Sequence, residues 1–199
     1  MITANVAAAE TLEKAGRPCM YRVHDQPSKE KLEALRSVLD SVGIRFARGG
    51  MPTPKRFNQI LKKTASAPHA PMVNEMVLRS QAQAEYAPDN IGHFGLALVR
   101  YCHFTSPIRR YADLLVHRAL IAGGRLGLGG LSGGLEKNPR DFADIGEHLS
   151  MTERRAANAE RDAVDRFIAG FLADRIGAVF QGRINGVTRF GLFVTLTET

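Results

Sequence analysis

The chain has 199 residues, 44% of them hydrophobic, enough for a packed core in one or two domains. No uninterrupted apolar run approaches the ~20 residues of a membrane span, and two cysteines, Cys19 and Cys102, make neither a metal-ligand spacing nor a disulfide framework, which points to a reduced cytosolic setting. A net charge of +7 and a pI near 9.8 favour an acidic partner, nucleic acid or an anionic surface, with ordinary solubility charge as the alternative.

The N-terminal ITANVAAAETLEKAG lacks the basic start of a signal peptide, and Glu10, Glu13 and Lys14 interrupt it at helical spacing. It reads as a helix over 2–15 stopped by Gly16. PCMYRVHD, 18–25, reads as a short strand. PSKEKLEALRSVLDSVG is a helix with Leu32, Leu35, Val38, Leu39 and Val42 on one face and Gly43 at its end. In TPKRFNQILKK, Thr53 caps, Pro54 starts, and Phe57, Ile60 and Leu61 face inward. Residues 70–84 form a further helix through Met72, Val73, Met76 and Val77. HFGLALVRYCHF, 93–104, is predicted as a buried strand.

In HFTSPIRRYADLLVHR, 103–118, Ser106 is placed as N-cap and Pro107 as the first helical residue. Ile108, Tyr111, Ala112, Leu115 and Ala119 then run at helical spacing, so Tyr111 is expected in the core. Arg109 and Arg110 fall in the first turn, where the helix dipole disfavours cations. Two arginines on a buried helix start need anions there. Guanidinium groups, free N–H groups and dipole would converge on a phosphate. Arg109 is expected to pair with Asp113 at i+4. The alternative is that both arginines bond carboxylates elsewhere in the fold.

GGRLGLGGLSGG, 123–134, is a flexible connection, and without a following GK[ST] it is no phosphate loop. A long helix runs from about Asp141 to about Arg175. After Gly177 the period becomes two, and AVFQGRINGVTRFGLFVTL forms a hairpin with Asn185-Gly186 near its turn. Two strands alone are marginal, so the chain reads as cut within a second domain.

YCHFTSPIRRYADLLVHRAL closely resembles the signature of the ribonuclease II and ribonuclease R family of processive 3′→5′ exoribonucleases. The resemblance extends through ANVAAAE, YRVHDQPSKEKL, LRSQAQAEY, GHFGLAL and ERRAANAERDAVD, and is closer to the ribonuclease R branch. It implies an α+β (mixed α/β) fold. Residues 1–176 would be the helix-rich C-terminal portion of an RNB-type catalytic domain, and 177–199 the truncated first strands of an S1/OB barrel. It implies hydrolysis of single-stranded RNA to 5′-mononucleotides by a monomeric cytoplasmic enzyme, with no membrane and no small-molecule cofactor.

The same resemblance places Arg109 at the scissile phosphate. Ser106, Arg110, His103 and His93 would serve phosphate or RNA binding, with Asp113 and Glu160 in support. The alternative for Glu160 is a surface ion pair with Arg161 or Arg155. His93, His103 and His117 lack the i,i+4 spacing of a helical zinc site and read as partly buried histidines hydrogen-bonded to backbone. The hairpin resembles the start of an S1 domain through Gly177, Val179, Gly182, Val187, Phe190, Gly191, Phe193 and Val194. There Phe190 and Phe193 would face RNA, and one of Phe180, Phe190 and Phe193 is expected to fill the barrel. The family's Mg²⁺ is held by aspartates upstream of the resembled region. No residue of this chain is assigned as a metal ligand, and the isolated chain is expected to be inactive. Two other readings stand beside this one: a non-catalytic RNA-binding module, and a structural fragment without a ligand of its own.

Overall fold

A computed structural model describes residues 1–46, 52–124, 139–188 and 190–196, in two compact units, Met1–Glu153 and Arg154–Thr199. In the first unit the helices begin and end where local chemistry dictates. Helix α1 (Ile2–Lys14) is followed by strand β1 (Tyr21–His24) and helix α2 (Lys29–Ser41). The Ser28 hydroxyl accepts from Lys31 N and caps α2. At its other end Gly43, at φ +76°, turns the chain left-handed so that Gly43 N bonds Asp40 O and Ile44 N bonds Leu39 O. Helix α3 (Pro54–Thr64) starts on proline, but the Thr53 side chain makes no capping bond.

Helix α4 (Ala70–Ser80) is shorter than predicted, and Met72 lies outward. The chain instead turns at Gln81 into strand β2 (Ala84–Ala87), which pairs antiparallel with β1 from Tyr21↔Ala87 to His24↔Ala84. The predicted strand over 93–104 is not one. A 3-10 helix (Phe94–Leu96) and a left-handed Ala97 break it, leaving the single bridges Tyr21↔Cys102 and His24↔His93 to β1. Helix α5 (Tyr111–Gly124) and the start of helix α6 (Pro139–Ala173) complete this unit. Most of the predicted glycine-rich connection lies outside the described residues.

Two cores result. One joins α1, β1, β2, α5 and the start of α6 around Leu12, Met20, Leu115, Val116 and Phe142. The other joins α2, α3 and α4 around Leu35, Leu39, Phe57 and Val73. Cys19 and Cys102, far apart in sequence, meet in the first core as free thiols. The hydrogen bond that Cys19 makes to Cys102, then burial, pushes the Cys19 thiol pKa far up, so it is inert as a nucleophile.

In the second unit strands β3 (Gly182–Thr188) and β4 (Gly191–Leu196) form the expected hairpin. The strands pair from Gly182↔Leu196 to Thr188↔Gly191, and Asn185-Gly186 sits at a register irregularity within β3 rather than at the turn. Phe190 and Phe193 are exposed and Phe180 is half-buried, so none of the three is core. Among the described residues of this unit, no second layer covers the two-stranded sheet.

Candidate nucleic-acid interface

The segment joining the broken strand to α5 is held from inside by one buried asparagine. Asn5, on the apolar face of α1, donates from Nδ2 to the Tyr101 hydroxyl at 3.1 Å and accepts from Phe104 N at 3.1 Å. Its backbone oxygen accepts from the Cys102 thiol at 3.3 Å. In the sequence its signal is the single amide among the small apolar residues of ANVAAAE.

The chain then turns. Arg109 N and Arg110 N both approach Ser106 O, at 3.3 and 3.1 Å, and α5 begins only at Tyr111. Ser106 is therefore not the helix cap, and the two arginines lie before the helix rather than in its first turn. Ile108 points fully outward and Tyr111 is 42% exposed, against the predicted apolar face.

Asp113 explains the displacement. Its carboxylate is fully buried and accepts from Ser106 N at 2.7 Å, Arg110 Nε at 2.8 Å and Arg110 Nη2 at 2.9 Å. The partner of Asp113 is Arg110, not Arg109 as the spacing predicts. Arg110 stands one residue before the helix, and its planar fork meets both carboxylate oxygens. The exposed Arg109 guanidinium has no ion-pair or hydrogen-bond partner among the described residues. The two arginines are thus divided, one spent on the turn and one projecting from it.

Next to this turn runs a row of rings. The His103 Nδ1 lies 2.9 Å from the Tyr86 hydroxyl. The His103 ring meets Tyr101 edge-on at 5.7 Å, Tyr101 meets His93 at 5.4 Å, and His93 tilts against His24 at 5.0 Å. Burial, then the charges of Arg110 and Arg22, lowers the His103 pKa to about 4. Burial, then His24 and Arg22, brings His93 to about 4. Both imidazoles are neutral at pH 7 and present half-buried, uncharged faces. His93 bonds backbone as predicted, accepting from Leu96 N, and His117 contacts Phe104 O at 2.8 Å. His103 differs, since its partner is a tyrosine side chain.

Arg22 and His24 of β1 were not singled out in the sequence. The Arg22 guanidinium lies 4.6 Å over the Tyr86 ring and pairs with Glu153 through both nitrogens, at 2.6 and 3.2 Å. His24 accepts from Gly95 N at 2.7 Å and reaches Ala82 O at 2.8 Å. Those bonds tie the start of the broken strand, and the chain just before β2, to β1. His24 and His93 open on a groove of about 480 Å³ whose walls include Pro54, Asn90 and Phe94. PCMYRVHD reads as a short strand, but the sequence does not say which of its side chains meet others some 60 residues away.

Glu160, Phe190 and Phe193 belong to the second unit. Glu160 is exposed, and Arg161 bonds Asn158 rather than Glu160, so the predicted surface pair with Arg161 does not form. Among the described residues no three His, Cys, Asp or Glu side chains are placed to hold a metal ion, and Asp113 is fully engaged by its three donors. The described residues therefore do not fit a Mg²⁺ site. No described helix is long and apolar enough to cross a membrane.

The RNB domain model matches residues 1–123. The chain is 45% identical over 203 residues to Ribonuclease R of Escherichia coli (strain K12), a match covering all of this chain and 25% of that protein. Mycoplasma genitalium RNase R in complex with ribose methylated single-stranded RNA superposes with a TM-score of 0.88 at 29% identity, over 100% of this chain and 31% of that one. Yeast Ssd1, a pseudonuclease, superposes with a TM-score of 0.61 at 25% identity, over 74% of this chain and 18% of that one. The chain spans about a quarter of the length of the curated relatives it matches.

Proposed function

Because the chain belongs to the RNB domain family, we propose that it is part of a ribonuclease R-type exoribonuclease that degrades single-stranded RNA processively from the 3′ end to 5′-mononucleotides. The observation that carries this reading is the division of labour at the turn. Asp113 absorbs Arg110, and Arg109 is left projecting from the N-terminal end of α5, where backbone N–H groups and dipole favour an anion. A planar guanidinium there can take two phosphate oxygens at once and stabilise charge that develops on them during cleavage. Ser106 and Arg110 hold the turn that aims it. His93 and His103, neutral and half-buried, offer ring faces to bases without competing for phosphate.

In this reading residues 1–176 belong to the catalytic domain. Residues 177–199 are the first strands of an S1 domain, whose Phe190 and Phe193 meet RNA, and Glu160 supports activity. The enzyme is a cytoplasmic monomer and uses Mg²⁺ on ligands other than the described residues. Arg109 contributes on the phosphate side alone, so the 199-residue chain by itself binds RNA without hydrolysing it. Incubating it with labelled single-stranded RNA and Mg²⁺ tests this. Salt-sensitive binding with no released mononucleotide is expected, and released mononucleotide would refute the assignment.

The likeness to a pseudonuclease favours one second reading, a non-catalytic RNA-binding module on the same fold. In that case loss of Arg109 changes affinity only.

A further inference from the structure

The positive charge of this chain is not spread over it. Between Asp40 and Glu75 the sequence carries Arg45, Arg48, Lys55, Arg56, Lys62 and Lys63 and no acid, a local +6 against +7 for the whole chain. The fold gathers part of this run around one concavity of about 450 Å³, walled by Arg45, Arg56, Gln59 and Lys63 over the apolar Phe46 and Ile60. No carboxylate lines it. Arg56, Gln59 and Lys63 stand at i, i+3 and i+7 on α3, a polar row about 10 Å long. Among the described residues Arg45, Arg56 and Lys63 have no ion-pair partner.

Three cations held around one hollow repel one another, and the low-dielectric floor beneath them focuses their field outward. Elsewhere in this unit several arginines are neutralised: Arg22 by Glu153, Arg36 by Glu33, Arg79 by Glu75 and Arg110 by Asp113. The hollow is open, and its cations are exposed and extended along a helix rather than closed around a point. That arrangement suits a chain polyanion held by its backbone, not one small buried anion.

We infer that the hollow between the 43–46 turn and α3 is a second phosphate-binding surface, taking the sugar-phosphate backbone of RNA without reading its bases, and sharing no residue with the Arg109 turn. The inference rests on the RNA reading above and adds a place where strand outside the cleavage position is held.

The test is fluorescence anisotropy of a labelled oligouridylate with the 199-residue chain across a salt series. Arg56→Ala/Lys63→Ala is expected to weaken binding several-fold at low salt. It should also reduce the slope of log K against log salt by about 1.4, two lost contacts at about 0.7 each. Arg56→Lys/Lys63→Arg should restore both, since charge rather than shape is required. Lys14→Ala/Lys29→Ala removes the same net charge from exposed positions elsewhere and should change neither. Equal weakening by the two alanine pairs, or none by the first, overturns the inference while leaving the RNA reading intact. Absence of binding by the unsubstituted chain overturns both.

Discussion

Arg110 grips Asp113 with two nitrogens, at 2.8 and 2.9 Å, while the side chain of its neighbour Arg109 has no hydrogen-bond or ion-pair partner among the described residues. Adjacent and chemically identical, the two arginines differ in what they do for the fold, so breaking the Arg110–Asp113 pair should cost stability and removing the Arg109 side chain should not. Asp113→Ala strips three hydrogen bonds and leaves a half-buried guanidinium unpaired, at a cost of about 3 kcal/mol. For a chain of this length that lowers Tm by roughly 6–12 °C. Arg109→Ala should stay within about 0.5 kcal/mol of the unsubstituted chain, as exposed positions do. Thermal unfolding of both variants reads the contrast, and a destabilised Arg109→Ala would show that its side chain also supports the fold.

The half-buried imidazoles predict a pH dependence of definite sign. His93 and His103 fall from 6.5 to about 4 in the folded state, so between those values the unfolded chain binds more protons. Stability is full above about pH 6.5 and is lost as pH falls through the window toward 4. Tm measured from pH 7 to pH 4 should decline, and His93→Gln/His103→Gln should make the decline shallower. An unchanged profile in the double variant would assign the acid sensitivity to other groups.

Gly146 lies in α6 where the helix crosses β2. A Cβ at this position would sit 2.5 Å from Tyr86 O, a backbone atom that cannot swing away. The Tyr86 N–H is also fixed there, donating to Ser150 Oγ at 2.9 Å. Helix propensity alone predicts that Gly146→Ala gains about 1 kcal/mol. The contact reverses the sign, and a net loss of about 1–3 kcal/mol is expected in urea unfolding. A gain in stability would mean that α6 and β2 are not packed this closely.

The fold was legible in the sequence where its cause is local. Ser28, Pro54, Gly16 and Gly43 mark helix ends through interactions within a few residues, and the predicted limits of α1, α2 and α3 hold to within a residue or two. It was illegible where the cause is distant. Ser106-Pro107 has the form of a helix start, but the buried Asp113 takes the Ser106 N–H and moves the start to Tyr111. The run 93–104 is apolar enough for a strand. Its conformation is set instead by His24, which accepts the Gly95 N–H from 71 residues away. AEYA has no alternating pattern and becomes β2 only by pairing with YRVH.

At the candidate site the family resemblance singled out Arg109, Arg110, His93 and His103, and the structure puts all four near one turn and one row of rings. The supporting residues Asn5, Arg22, His24 and Tyr86 emerged only from tertiary contacts. The basic run over 41–74 was open to view in the order of the charges but hidden in their total.

The most direct measurement compares turnover with affinity for Arg109→Ala in the enzyme that carries this segment, using single-turnover cleavage and RNA binding in parallel. If Arg109 meets the scissile phosphate, the cleavage rate falls about 10²–10³-fold, while Kd changes by less than about tenfold. Equal losses in rate and affinity, or a change in affinity alone, would contradict that role and leave Arg109 as one more backbone contact.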